Sequence, residues 1–478
     1  MVVTQQDLII RQLAATSDNT LEFIIRNLID EHDTREMERG EKYYHNENEI
    51  LQRRIYLYDE QGRKRVDETA VNNRVPHNWH KLLVDQKVSY LLGRPAVIDS
   101  DDEKYTEEIN KHLDEDWDDN LQETGKESSN KGAAYLHPYI DEAGEFTYAR
   151  IPSEQCIPIY DTDYEEKIVK FIRYYEFVVN GRSTIRAEWW DEETVTYFIQ
   201  AGSGLFEQEI PKEGEENPDS HFYYRGEGYG WGRVPFVEFR NNEERYPDLK
   251  YYRELIDVYD LIVSDMANDI TDIQKLIYVL RGYDGTSLEE FVTNLRRFRA
   301  VKLSEEGGLD TLSAEIPVEA ITKFMDRAEE NIFLFGQGVN VKTDRFGNSP
   351  SGIALKFLYG LLDLKAGIMA RKFSRAMKDF LWFLHEYLDI ARLMRVTDDM
   401  RDSVRVTFSK SMIMNDLELV SMAQASKGII SDATILANHP WVEDARAEQE
   451  WLEEDNAGRV DLDAPVDDDE DVADEPDE

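Results

Sequence analysis

One run constrains this chain more than any other: from Pro350 an apolar pattern continues to about Arg395 without a proline. Ile353, Phe357, Leu361, Leu364, Ile368, Phe373, Met377, Phe380, Leu384 and Leu388 recur at helical spacing. A helix of ~45 residues spans roughly 65 Å, longer than ordinary globular domains use. Its start is set by local chemistry. Ser349 can cap free N–H groups, and Pro350 at the first helical position gives up no needed donor. Immediately before lies a polar loop carrying two cations: Lys342, Thr343, Asp344, Arg345, Phe346, Gly347 and Asn348.

With 478 residues, 41% of them hydrophobic, the chain is long enough for two to four domains with real cores. Its 99 acidic against 55 basic residues give a formal charge of -44, which argues against a protein that wraps nucleic acid through a basic surface. The first residues lack the basic start and apolar core of a signal peptide, and no run of 18 apolar residues occurs, so the expectation is a soluble chain with no membrane partner. The single cysteine, Cys156, excludes an internal disulfide and a thiolate cluster, and reads as a small buried hydrophobe.

Along the chain, residues 8–40 read as helical, and the charge-dense stretch after them, with Tyr43, Tyr44, Ile55, Tyr56 and Tyr58, reads as a loosely organised arm. Trp79, Leu82, Leu83, Gln86, Val88, Leu91 and Leu92 predict one amphipathic helix closed by Gly93 and Pro95. His77 and His80 stand three apart, but no third ligand completes a metal site, so no metal or other cofactor is expected. From 130 to 240 the texture becomes short β-branched and aromatic runs at period two, punctuated by turns such as Asn180-Gly181, which predicts antiparallel strands. The glycines from Gly226 to Gly232 lack the lysine and following helix of a phosphate loop.

After Pro247, Leu255, Tyr259, Ile262, Met266, Ile270, Ile273, Ile277 and Leu280 predict a helix with one apolar face. Its other side carries Asp257, Asp260, Asp265, Asp269 and Asp272, too many for a catalytic pair and without a local His or Cys. A small insertion at 282–317 holds a short helix with Arg296, Arg297 and Arg299, and strand-like 300–303; a second helix follows at 318–335. The chain ends in an acidic stretch, 461–478, which composition predicts to be disordered.

This order of parts resembles the portal proteins of tailed bacteriophages, of the siphophage type. The resemblance is carried by the segment from Asn73 to Pro95, by Pro350-Ser-Gly-Ile-Ala-Leu-Lys-Phe-Leu-Tyr, and by Ile430-Ser-Asp-Ala-Thr-Ile-Leu-Ala-Asn-His-Pro-Trp-Val-Glu-Asp-Ala. It implies an α+β portal fold: an N-terminal arm and wing at 1–247, stem helices at 248–281 and 318–339, and a clip at 282–317 between them. It further implies a tunnel loop at 340–349, a tunnel helix at 350–396, a strand returning to the wing within 397–416, a crown at 417–456 and an acidic tail at 457–478.

The function implied is a ring at one capsid vertex, of about twelve subunits in the virion and about thirteen as the recombinant alternative, through which double-stranded DNA enters and leaves. Implied partners are other copies of the chain, the terminase large subunit, the major capsid and scaffolding proteins, and a head-completion adaptor. Assembly would take place in the host bacterial cytoplasm. Duplex DNA carries one negative charge per roughly 1.7 Å, so a conduit must avoid tight phosphate binding. Lumen carboxylates, with Asp257, Asp260, Asp265, Asp269 and Asp272 as candidates, would centre DNA by repulsion, while Lys342 and Arg345 touch it at a constriction. The clip arginines are expected to pair between subunits or to contact the motor. The rival readings are another phage head structural protein or a packaging-associated enzyme, and the missing Gly-x-x-x-x-Gly-Lys-Ser/Thr argues against the second.

Overall fold

The computed structural model describes residues 21–59, 61–68, 70–161, 167–179, 181–202, 204–211, 216–273, 277–281, 308–312, 317–340, 352–410, 416–437 and a few positions between 439 and 452. The chain divides into two units, Met1–Lys342 with Leu358–Ser411, and Thr343–Phe357 with Met412–Glu478. The fold class is α+β with antiparallel sheets, as the sequence predicts.

The first unit begins with helices α1 (Leu21–Glu31) and α2 (Arg35–Tyr44), where one continuous helix was expected. Between them Asp33 accepts the Arg35 backbone N–H at 3.1 Å and its guanidinium at 2.7 Å, holding a turn that competes with helix. Residues 8–20 lie outside the described residues. The arm is also better anchored than its composition suggests, since Tyr43 and Ile50 are buried. A hairpin of β1 (Tyr56–Tyr58) and β2 (Lys64–Val66) follows, then α3 (Trp79–Leu92), β3 (Val97–Asp99), α4 (Glu103–Lys111) and α5 (Glu115–Lys131). A Cβ on Gly40 would fall 1.9 Å from the Asn130 carbonyl oxygen, so only glycine lets α2 lie this close to the end of α5.

The β-rich part forms as its period-two pattern predicts. Strands β4 (Ala133–Ile140) and β5 (Phe146–Ile151) are followed by β6 (Cys156–Tyr160), β7 (Ile168–Val179), β8 (Arg182–Trp190) and β9 (Thr194–Ala201). Short β10 (Glu207–Gln208) and β11 (Asp219–Ser220) both pair with β9. The hairpin of β12 (Phe222–Tyr224) and β13 (Glu227–Tyr229) absorbs the glycine run, turning through Arg225 and Gly226 at positive φ. Strand β14 (Val237–Arg240) completes a three-stranded sheet in the order β14-β4-β5, beside the larger sheet whose main path is β10-β9-β8-β7-β6.

Neighbouring residues on β7 explain how these layers stack. Phe171 and Ile172 point to opposite faces, and both are fully buried. Ile172 joins Ile157, Ile159, Trp189 and Phe198 under Ile24, Ile25 and Leu28 of α1. Phe171 stacks on Phe236, ring centroids 3.8 Å apart, in the core shared with the three-stranded sheet. Cys156 sits in that core, where its thiol donates to the Pro152 carbonyl at 3.3 Å, in keeping with its reading as a buried hydrophobe.

Helix α6 (Arg253–Ile273) then packs against α7 (Val318–Gly336), with Tyr252, Ile256, Tyr259, Ala328, Ile332 and Phe333 closing a third core over Tyr43 and Leu83. Ile277 and Leu280 do not continue α6. They belong to β15 (Ile277–Arg281), which pairs with β16 (Gly308–Leu312) from Ile277↔Leu312 to Arg281↔Gly308. A spacing of three or four could not separate helix from strand in so short an apolar run.

The long helix is real: α8 spans Gly352–Ile390. Its apolar positions divide into two stripes. Leu362, Ala366, Met369, Phe373, Met377, Phe380 and Leu384 are buried, whereas Phe357, Leu364 and Ile368 are 82%, 63% and 52% exposed. At 100° per residue, Phe373 lies about 160° around the helix from Phe357. After α9 (Asp398–Ser403), strand β17 (Arg405–Thr407) pairs antiparallel with β3 through Val406↔Ile98.

The second unit contains helices α10 (Asp416–Ser426) and α11 (Asp432–Ala437). Ser431 accepts the Thr434 N–H at 3.3 Å through its hydroxyl and caps the shorter one.

Candidate functional site

Polar residues on α6 recur toward one side, and the structure shows what they hold. Asn48 donates to Asp260 Oδ2 at 2.6 Å, and His77 Nδ1 donates to Asp260 Oδ1 at 2.7 Å. The Val75 N–H donates to the Ser264 hydroxyl at 3.0 Å, and the Asn73 N–H to Asn268 Oδ1 at 2.7 Å. Arg53 pairs with Asp265 at 2.5 Å, and the Tyr43 hydroxyl donates to Asp257. Residues 43–53 and 73–77 are thus strapped along the helix. Because an extended segment cannot satisfy its own backbone donors, α6 supplies the acceptors.

This arrangement corrects part of the expected carboxylate wall. Asp260 is 0% exposed, an interior acceptor rather than a solvent-facing charge. Asp257 and Asp265 are half-buried and engaged with Tyr43, Arg253 and Arg53. Burial lifts the Asp257 carboxyl above its ordinary value, the Tyr43 hydrogen bond opposing it. Asp269 is exposed, and the side chain of Asp272 lies outside the described residues. Spacing put these acids on one helix; it could not show that other chain segments cover most of them.

A second polar centre joins four elements. Lys87 of α3 and Lys365 of α8 both reach Asp248, which sits just before α6, at 2.6 and 3.0 Å. Lys87 also donates to Asn241, and Lys365 to the carbonyl of Gly336 at the end of α7, at 2.6 and 2.9 Å. Burial pushes the Asp248 carboxyl up, but the two ammonium groups outweigh it and hold the group well below the usual carboxylate range. Burial pushes Lys87 down to about 8. The sequence reading missed this centre. Its one signal was a lysine inside the apolar run of α3, where Lys87 and His80 are buried while Leu82 is exposed.

A cavity of about 320 Å³ lies between β14 and α8. Its lining sets Arg233, Arg240, Lys372 and Arg375 against Glu238, Asp379 and Asp161, and among the described residues carries no Ser, Cys or His. Among the described residues no group of three or more His, Cys, Asp or Glu could hold a metal ion, and no helix is long and apolar enough to cross a membrane. His77 and His80 each bond elsewhere, to Asp260 and to the Tyr252 hydroxyl. The loop from Lys342 to Asn348, including Thr343, Asp344, Arg345, Phe346 and Gly347, lies outside the described residues, as do Arg296, Arg297, Arg299 and the helix start at Ser349 and Pro350.

Exposed apolar side chains are spread over strands, loops and helices, and several lie on the three long helices. Besides Phe357, Leu364 and Ile368 on α8, Phe324, Leu334 and Phe335 of α7 and Ile270 of α6 are about half exposed.

Comparison with known proteins is consistent over nearly the full length. The family model described as "Phage portal protein, SPP1 Gp6-like" matches residues 25–460. The chain is 40% identical over 443 residues to the portal protein of Bacillus phage SPP1, covering 92% of this chain and 87% of that one. It is 33% identical over 444 residues to the portal protein of Clostridium phage phiCD119, covering 88% and 92%. A solved chain from the virion of a native gene transfer agent particle aligns at 12% identity and a TM-score of 0.40, over 74% of this chain and 88% of that one. On the family match and the two sequence relatives, the chain belongs to the phage portal protein family of the SPP1 Gp6-like type.

Proposed function

We propose that copies of this chain close into a ring at one vertex of a phage capsid, forming the channel through which double-stranded DNA is packaged and ejected. The family is structural and not enzymatic, and its members are virion components. The observation that carries the ring is the second apolar stripe of α8, with Leu364 63% and Ile368 52% exposed along a stretch of helix that already buries its opposite face. A two-sided helix needs a second partner, and cyclic symmetry supplies one to every subunit alike.

The charge of -44 supports repulsive guidance of DNA, with Asp269 and Asp272 the candidates left from the carboxylate row for a lumen wall. Lys342 and Arg345 then make a narrow, sequence-blind contact at the constriction. Terminase, the head-completion adaptor, and the capsid and scaffolding proteins complete the proposed partners, the ring being assembled in the host cytoplasm. The clip arginines Arg296, Arg297 and Arg299 pair with neighbouring carboxylates in this reading. Replacing Lys342→Glu and Arg345→Glu together tests the constriction: the variant is expected to form rings yet package less DNA per capsid, and unchanged packaging contradicts it.

A further inference from the structure

The hairpin of β1 and β2 has no face of its own to bury. Tyr56 and Leu57 point to opposite sides, yet they are 45% and 41% exposed, and Tyr58 is 72% exposed. An isolated two-stranded hairpin is marginal in water, and among the described residues no further strand pairs with either of its edges. Its base, in contrast, is held firmly. Asn72 Nδ2 and Arg74 donate to the carbonyls of Arg53 and Leu51 at 3.1 and 2.8 Å, and Arg53 is tied to Asp265 of α6. The tip is also fixed, because Asp59 accepts the Gln61 and Arg63 N–H groups at 3.0 and 2.9 Å. A rigid mount carrying an uncovered ribbon is a docking element rather than a slack loop.

Its charge identifies the occupant. Residues 53–67 carry five basic against three acidic side chains, a local excess of positive charge in a chain of net charge -44. Arg54 is exposed and forms no ion pair among the described residues, and the Lys64 ammonium lies 3.9 Å over the Tyr56 ring, also without a carboxylate. The nearest abundant surface of opposite sign is a second copy of this chain, since subunits this acidic repel one another unless a local patch of opposite charge offsets the repulsion.

We propose that this hairpin is an intersubunit clasp, lying on the acidic surface of the neighbouring copy with Arg54 and Lys64 against its carboxylates and Leu57 and Tyr58 covered. The proposal rests on the ring reading given above. Two variants test it: Arg54→Glu with Lys64→Glu, which disturbs no ion pair of the described subunit, and replacement of residues 56–66 by a short glycine-rich turn. Folding is followed by circular dichroism and ring formation by sedimentation velocity over a salt series. Both variants are expected to fold and to need at least tenfold more protein to form rings at low salt, with the deficit of the charge-reversed variant shrinking as salt screens the contact. Wild-type-like assembly of both overturns the clasp, and loss of DNA binding or of capsid-protein binding in its place identifies the hairpin as a surface for those partners, which equally overturns it. A wild-type chain that remains monomeric overturns the ring itself, and the clasp with it, before any variant is compared.

Discussion

Lys365 of the long helix meets Asp248 at 3.0 Å, and Asp248, only 3% exposed, takes Lys87 as its second cation. This carboxylate therefore fastens the long helix to the entry of α6, while Lys365 also holds the last carbonyl of α7. Asp248→Ala is expected to destabilise the subunit by roughly 3–5 kcal/mol, because it strands two buried ammonium groups. Urea denaturation of the dissociated subunit measures it. Since the folded pKa is depressed, the contribution of Asp248 is full above the ordinary carboxylate pKa near 4 and is lost as pH falls toward the folded value.

Buried histidines add a separate acid sensitivity. Burial lowers His80 and His385 to about 3 and His221 to about 4, from 6.5. Below pH 6.5 the unfolded chain takes up protons that the folded one refuses, so stability falls with acid from 6.5 down to about 4 for His221 and to about 3 for His80 and His385. Each group contributes up to about 1.4 kcal/mol per pH unit. Urea midpoints at pH 7 and pH 5 are expected to show the loss, and His385→Phe to reduce it.

The strap on α6 separates two acids that sequence treated alike. Asp260→Ala is expected to cost about 2–4 kcal/mol, because Asn48 and His77 lose their acceptor in a buried site. Asp269→Ala, on the exposed side, is expected to change subunit stability by less than about 0.5 kcal/mol. Thermal unfolding of the two variants side by side checks the contrast.

Two glycines are expected to respond in opposite directions. Gly40→Ala places a methyl group against the Asn130 carbonyl and is expected to cost about 1–3 kcal/mol or to displace α2. On α8, a Cβ at Gly360 meets nothing within 4 Å, so Gly360→Ala is expected to stabilise the dissociated subunit by about 0.5–1 kcal/mol. Denaturation curves measured on subunits below the assembly concentration distinguish the two effects.

What could be read from sequence followed from local chemistry. The antiparallel strands between Ala133 and Ala201 were legible as a class from their β-branched and aromatic runs and their turn residues, although the short strand Cys156–Tyr160 was not foreseen. The long helix was legible from its uninterrupted helical spacing, although spacing alone did not show that its apolar positions divide between a buried and an exposed stripe. The roles of Asp260, Lys87 and Lys365 were not legible, because whether a charge is buried depends on chain segments far away in sequence: residues 48 and 77 for Asp260, and residue 248 for both lysines. Ile277 and Leu280 were misread because a strand of five residues is too short for its period to show. The long resemblance from Asn73 onward supplied the family, which spacing alone did not reach.

Closed rings are the claim on which the channel depends. Electron microscopy of the purified wild-type chain, with its mass measured in solution, tests that claim most directly: the account predicts closed rings of about twelve or thirteen copies around an axial hole, and a stable monomer at micromolar concentration would contradict it.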